Sequence, residues 1–139
     1  MANRVFLDTN VILDIIGAHR VAHEDAKKIW KMLVHEGTEI VVSEDMLSTI
    51  YYINEDKRYA LEFFRHIQKK WDVVSFGKSV IEDAITLALE KDLDFEDVLP
   101  CLCAKEHACD MLITNDKKFY DCGLEILNTK AFINKNIVK

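Results

Sequence analysis

Val5-Phe6-Leu7-Asp8-Thr9-Asn10-Val11-Ile12-Leu13-Asp14 is the stretch that decides the fold: a short apolar run closed by an acid and followed by a second apolar pattern. Residues 5–7 are too few for a helix of their own and suit a buried strand. Beyond Asn10, the residues Val11, Ile12, Ile15 and Ile16 recur at helical spacing up to Gly17, a natural stop. The same unit returns at Met111-Leu112-Ile113, followed by Thr114-Asn115-Asp116. A third acid, Asp97 in Asp94-Phe95-Glu96-Asp97, opens the helix that leads into that second run. In a parallel sheet the strand ends on one edge converge, so Asp8 and Asp116 are expected to be neighbours across the sequence that separates them.

Between these units, strand and helix patterns alternate. Ala22 to Glu36 puts Ala26, Ile29, Trp30, Leu33 and Val34 on one stripe, and Gly37 follows. Glu39 to Val42 reads as a strand, with Ser43 expected to cap a helix through Met46, Leu47, Ile50 and Ile53. Helix Tyr59 to Ile67, strand Val73 to Ser75 and helix Lys78 to Leu89 follow. Asp94 is expected to cap a helix reaching about His107, ahead of strand Met111 to Thr114, strand Glu125 to Leu127 and a last helix near Thr129 to Ile133. The alternation predicts an α/β fold: a central parallel sheet of about four to five strands flanked by helices in three layers. Pro100 inside the Asp94 to His107 segment predicts a kink or a late helix start, and a late start would move Asp97.

The chain has 139 residues, enough for one domain over 1–139 with a real core; half are hydrophobic and 30% charged, with no repeat, linker or low-complexity segment. No apolar stretch can span a bilayer, since Val11 to Gly17 is short and broken by Asp14. The start, Met1-Ala2-Asn3-Arg4-Val5, lacks the long apolar segment of a leader. Four cysteines without a disulfide-like framework read as free thiols, and together these features predict a cytoplasmic protein. The net charge of -6 argues against a passive nucleic-acid binder, which draws its affinity from Lys and Arg, but not against a nuclease whose carboxylates carry cations. Most basic residues suit solvated helix faces; Lys117 and Lys118, directly after Asp116, are the exception.

Converging carboxylates repel one another and raise each other's pKa unless a cation sits between them. Oxygen ligands without soft partners select Mg²⁺ or Mn²⁺, which can activate water for phosphodiester hydrolysis. Phe6-Leu7-Asp8-Thr9-Asn10-Val11-Ile12-Leu13-Asp14, Asp94-Phe95-Glu96-Asp97 and Ile113-Thr114-Asn115-Asp116-Lys117-Lys118-Phe119 resemble, in order, three motifs of PIN domains. The resemblance spans nearly the whole chain and is strongest to the VapC-type toxin ribonucleases of bacteria and archaea. It implies a Mg²⁺- or Mn²⁺-dependent endoribonuclease acting on RNA, often a homodimer and often inhibited by a cognate antitoxin. Asp8, Asp97 and Asp116 would then hold metal, with Thr114 or Asn115 supporting the site and Asn10 ordering the first loop.

The chain departs from the family at one position. PIN domains usually place a Glu in the helix after the second strand, and that register falls here on Thr49. Asp45, one turn earlier on the same face, is the candidate substitute, although Glu44 and Asp45 also suit a helix N-terminus. Without compensation, the alternative is a degenerate PIN domain that binds RNA or protein without cutting. A phosphotransferase of the haloacid dehalogenase type would need a second Asp where Asn10 stands. Asp94 fits an N-cap better than a ligand, and Asp14 is expected on the exposed face of the first helix, with a role at the edge of the site as the alternative. Cys101, Cys103, His107 and Cys109 have zinc-like composition but the wrong spacing for one helix face, and His19 with His23 lacks a third ligand. Trp30 and Trp71 read as packing residues.

Overall fold

In the computed structural model, which describes residues 3–137, each apolar run singled out above is a strand of one sheet. Met1 and Ala2, at the start of the N-terminal stretch, lie outside the described residues. The order is β1 (Arg4–Leu7), α1 (Thr9–Ile16), α2 (His23–His35), β2 (Glu39–Ser43), α3 (Asp45–Ile53) and α4 (Lys57–Lys70), then β3 (Asp72–Val74), α5 (Gly77–Lys91), α6 (Phe95–Glu106), β4 (Met111–Ile113), β5 (Glu125–Leu127) and α7 (Thr129–Ile137). The five strands are all parallel and lie in the order β3-β2-β1-β4-β5. The expected three-layer α/β architecture is therefore present.

β1 is central, and its side chains alternate between two cores because successive residues of a strand face opposite sides. Val5 pairs with Ile40 and Met111, and Leu7 with Ile113; these residues pack with Val11, Ile12, Ile29, Leu33, Met46 and Ile50 on one face. Phe6, between Val41 and Leu112, points the other way, against Cys101, Cys103 and Ala104 of α6. Val5, Phe6 and Leu7 of β1 are each at most 1% exposed. Shaving one of them to Ala would cost about 2–5 kcal/mol, the usual range for a core cavity. Trp30, Phe63 and Trp71 pack edge to face with ring centroids 5.7–6.2 Å apart, the packing role expected of both tryptophans. Gly37 takes φ +70 in the turn from α2 into β2, a conformation that costs a residue without Cβ little.

Three local expectations need correction. Ser43 does not cap α3: it is the buried last residue of β2, paired with Val74, and α3 begins at Asp45 after Glu44. The strand pairing claims the serine backbone, so the helix starts later. The cysteines are not all free thiols: Cys101 of α6 and Cys122 are disulfide-bonded, while Cys103 and Cys109 are free and buried. The loop after β4 brings Cys122 back over α6, a return that spacing alone does not reveal. Pro100 causes no late start, since α6 begins at Phe95 with the Asp94 carboxylate accepting from the Glu96 N–H at 2.8 Å. That cap fixes the helix start ahead of the proline, so Asp97 stays in the first turn.

Candidate metal centre

Asp8 stands at the C-terminal end of β1, where the chain turns into α1, and serves as that helix's N-cap. Its Oδ1 accepts from the Thr9 N–H at 2.9 Å. Its Oδ2 accepts from the Thr114 hydroxyl at 2.8 Å and from Asn10 Nδ2 at 3.1 Å. The neighbouring strand end supplies Thr114 because β1 and β4 run side by side in register, Leu7 opposite Ile113. Thr114 is 3% exposed. Having given its one proton to Asp8, its Oγ1 accepts from the Asp116 N–H at 3.1 Å and from Asn10 Nδ2 at 3.3 Å.

Asp8, Asp97 and Asp116 line one cleft of about 350 Å³ above this edge of the sheet, together with Asp45, Thr49 and Asn10. Beneath it lies a recess of about 10 Å³ bounded by Asp8, Glu96, Asp97, Thr114 and Asp116, among others. That is space on the scale of a single water molecule or small ion. Asp94 caps α6 and does not line the cleft; its charge acts on Asp97. Asn115 lies behind the site, its N–H donating to Asn10 Oδ1 at 3.1 Å and its Oδ1 accepting from Thr129.

The electrostatics follow from this crowding. Burial raises the Asp8 carboxyl above its ordinary value; the Thr114 and Thr9 hydrogen bonds oppose that, while Asp116 and Asp45 add to it. Asp97 is also raised, first by desolvation and then by Asp94 and Asp116, with Lys118 opposing. Negative charge is thus concentrated at the recess, with Lys118 on its rim as the basic residue in its described lining. The described lining of the cleft contains no Cys or His, and all-oxygen donors suit a hard divalent cation. Among the described residues, no three His, Cys, Asp or Glu side chains are drawn together as a finished ligand group.

Two side chains differ from their sequence reading or escaped it. Asp14 is not exposed: it is 6% exposed and paired with Arg20, whose Nε lies 2.7 Å from Asp14 Oδ1. Glu96 lines both the cleft and the recess, although the sequence drew attention only to Asp97 beside it. Its place in the capped first turn of α6, facing the same sheet edge, was the available signal.

Comparison with known proteins gives a consistent result. Residues 4–118 match the family described as PIN domain. Ribonuclease VapC1 of Aquifex aeolicus (strain VF5) is 33% identical over 139 residues, covering 96% of each chain. Among solved structures, VapC20 of Mycobacterium tuberculosis, described as a Sarcin-Ricin loop cleaving toxin, superposes with a TM-score of 0.69 at 16% identity, over 86% of this chain and 95% of that one. VapBC2 of Rickettsia felis, bound to a DNA fragment from its promoter, gives a TM-score of 0.66 at 19% identity, over 90% and 98%. At those identities the structural likenesses bear on the fold alone.

Proposed function

Because this chain belongs to the PIN domain family, we propose that it is an endoribonuclease that hydrolyses RNA phosphodiester bonds with a divalent cation, Mg²⁺ or Mn²⁺, held by Asp8, Asp97 and Asp116. The observation that carries this reading is the recess bounded by those three carboxylates at the sheet edge, in a chain 33% identical to a ribonuclease. The chemistry such a cation supplies when bound is activation of water and stabilisation of the leaving oxygen.

The protein's own residues do the rest. Thr9, Asn10 and Thr114 hold the Asp8 carboxylate in one orientation through three donors. That pre-orders it for a ligand and removes the entropy a free side chain would lose. Asp97 and Asp116 face it from the first turn of α6 and from the turn after β4. The Asp116 Oδ1 accepts from the Lys118 N–H at 2.9 Å, which fixes the turn and keeps Lys117 and Lys118 beside the site. Those exposed cations suit the RNA phosphates on either side of the scissile bond. Asp45, one turn before Thr49 on α3, contributes negative charge at Asp8, and Thr49 carries none.

The relatives also bear on partners. The 33% identical relative is named VapC1 and a structure of the same fold is a VapBC pair, so we assign this protein the toxin part of a toxin–antitoxin pair, with an antitoxin as inhibitor; a homodimer is the assembly that the family resemblance implies. The proposed RNA substrate supports a cytoplasmic location; separately, among the described residues no helix is long and apolar enough to cross a membrane.

The test is cleavage of a panel of structured and single-stranded RNAs with Mn²⁺, with Mg²⁺ and with EDTA, using Asp8→Asn purified in parallel. Cutting that requires both the cation and Asp8 is expected. Folded wild type that never cuts would favour the degenerate binding module, with Thr49 in the place of the usual acid as the reason.

A further inference from the structure

Asp14 has both carboxylate oxygens engaged away from the cleft. Oδ1 accepts from Arg20 Nε at 2.7 Å and Oδ2 from Asn115 Nδ2 at 3.1 Å. A carboxylate 6% exposed loses most of its hydration, and removing its partner would leave an uncompensated charge. The pair also constrains the groups around it. With Nδ2 of Asn115 turned to Asp14, its Oδ1 must face Thr129, where it accepts from the N–H at 3.0 Å and the hydroxyl at 3.1 Å. The Asn115 N–H meets Asn10 Oδ1 at 3.1 Å, which leaves Asn10 Nδ2 to face Asp8 Oδ2. An amide has one accepting and one donating end; the Asn115 side chain is thereby fixed between Asp14 and Thr129, which anchors the residue whose backbone N–H in turn sets the flip of the Asn10 amide.

Gly17 is part of the same arrangement. Its φ is -98, open to any residue, yet a Cβ there would stand 2.7 Å from Arg20 Cδ, 3.0 Å from Cγ and 3.0 Å from the Leu13 carbonyl oxygen. The Arg20 stem therefore crosses the bare face of Gly17 to reach back to Asp14. His23 Nδ1, 2.8 Å from the Asp14 carbonyl oxygen, ties down the chain beyond it.

We infer that Asp14, held by Arg20, is a positioning residue: through the Asn115 and Asn10 amides it sets the aim of the Asp8 carboxylate toward its cation. This rests on the metal reading above. The variants are Asp14→Asn, Arg20→Ala and Gly17→Ala, the last of which changes no charge, with Arg20→Lys as the conservative control. Mn²⁺ binding is read by electron paramagnetic resonance, and the Asn10 and Asn115 side-chain amides by NMR. Outlying hydrogen-bond partners of metal ligands typically contribute about 10–100-fold in affinity. A loss of that order is expected for Asp14→Asn and Arg20→Ala, with Gly17→Ala following Arg20→Ala and Arg20→Lys recovering part. kcat should fall with KM for RNA held, and the Asn10 amide resonances should shift. Folded variants with wild-type Mn²⁺ affinity and unshifted Asn10 resonances overturn the inference. If Asp14→Asn does not fold, Arg20→Ala and Gly17→Ala carry the test. A wild type that binds no Mn²⁺ refutes the metal reading instead, and the Asn10 resonances then decide the network by themselves.

Discussion

Replacing Thr114 by Val removes one oxygen and keeps the volume and β-branching that suit a strand end. In the folded protein that oxygen donates to Asp8 and accepts from Asp116 and Asn10. The bond to the ionised Asp8 carboxylate is the large one, about 1.5–3 kcal/mol for a hydrogen bond to a charged group. Asn10 Nδ2 keeps its bond to Asp8, and the exposed Asp116 turn lets its N–H find water, so these two losses add little. A total cost of about 2–3 kcal/mol at pH 7 follows. The bond is stronger to the carboxylate than to the carboxyl, so in acid, once the raised Asp8 group has taken up its proton, the cost should shrink toward the neutral value of about 0.5–1.5 kcal/mol. Urea unfolding followed by circular dichroism at both pH values measures this in EDTA, with Thr114→Ser as the control that keeps the hydroxyl. Thr114→Val as stable as wild type at pH 7, or equally costly at both pH values, would refute the reasoning.

Other perturbations have equally definite outcomes. The folded state binds the Asp8 proton more tightly than the unfolded chain, so stability falls as pH rises from the ordinary carboxylate value through the raised one. Asp8→Asn has no such proton, and its metal-free stability should fall less across that window; parallel curves for the two proteins would sink this. Reducing Cys101–Cys122, which closes a separation of 21 residues, should cost about 3 kcal/mol by the chain-entropy argument, and urea midpoints that do not move with a phosphine reductant would contradict it. Thr49→Glu puts a carboxylate on the cleft wall where the family usually has one; calorimetric titration should show tighter Mn²⁺ binding, and unchanged affinity would count against that register.

The parallel sheet was legible because buried central strands are continuous apolar runs, and Val5-Phe6-Leu7 and Met111-Leu112-Ile113 have no competing interpretation. Asp8 and Asp116 could be paired in advance because strand ends converge whatever lies between them. Asp14 could not be read correctly: its partner Arg20 lies beyond the end of α1, outside the three- and four-residue spacings by which helix neighbours are recognised. Ser43 has the chemistry of a cap, and only its pairing with Val74 shows that the strand claims it. The Cys101–Cys122 bond depends on the path of a loop without regular structure, about which spacing carries no information.

The central place of β1 has a consequence for synthesis. Its first neighbour, β2, follows soon after in the chain, but its other neighbour, β4, begins only at Met111. Thr114, which orients Asp8, and Asp116, which faces it, come later still. A polypeptide leaving the ribosome can therefore form β1, β2 and β3 while holding only part of the carboxylate set. The site is assembled after most of the protein has been translated, so a truncated or half-made chain has the first acid without the last.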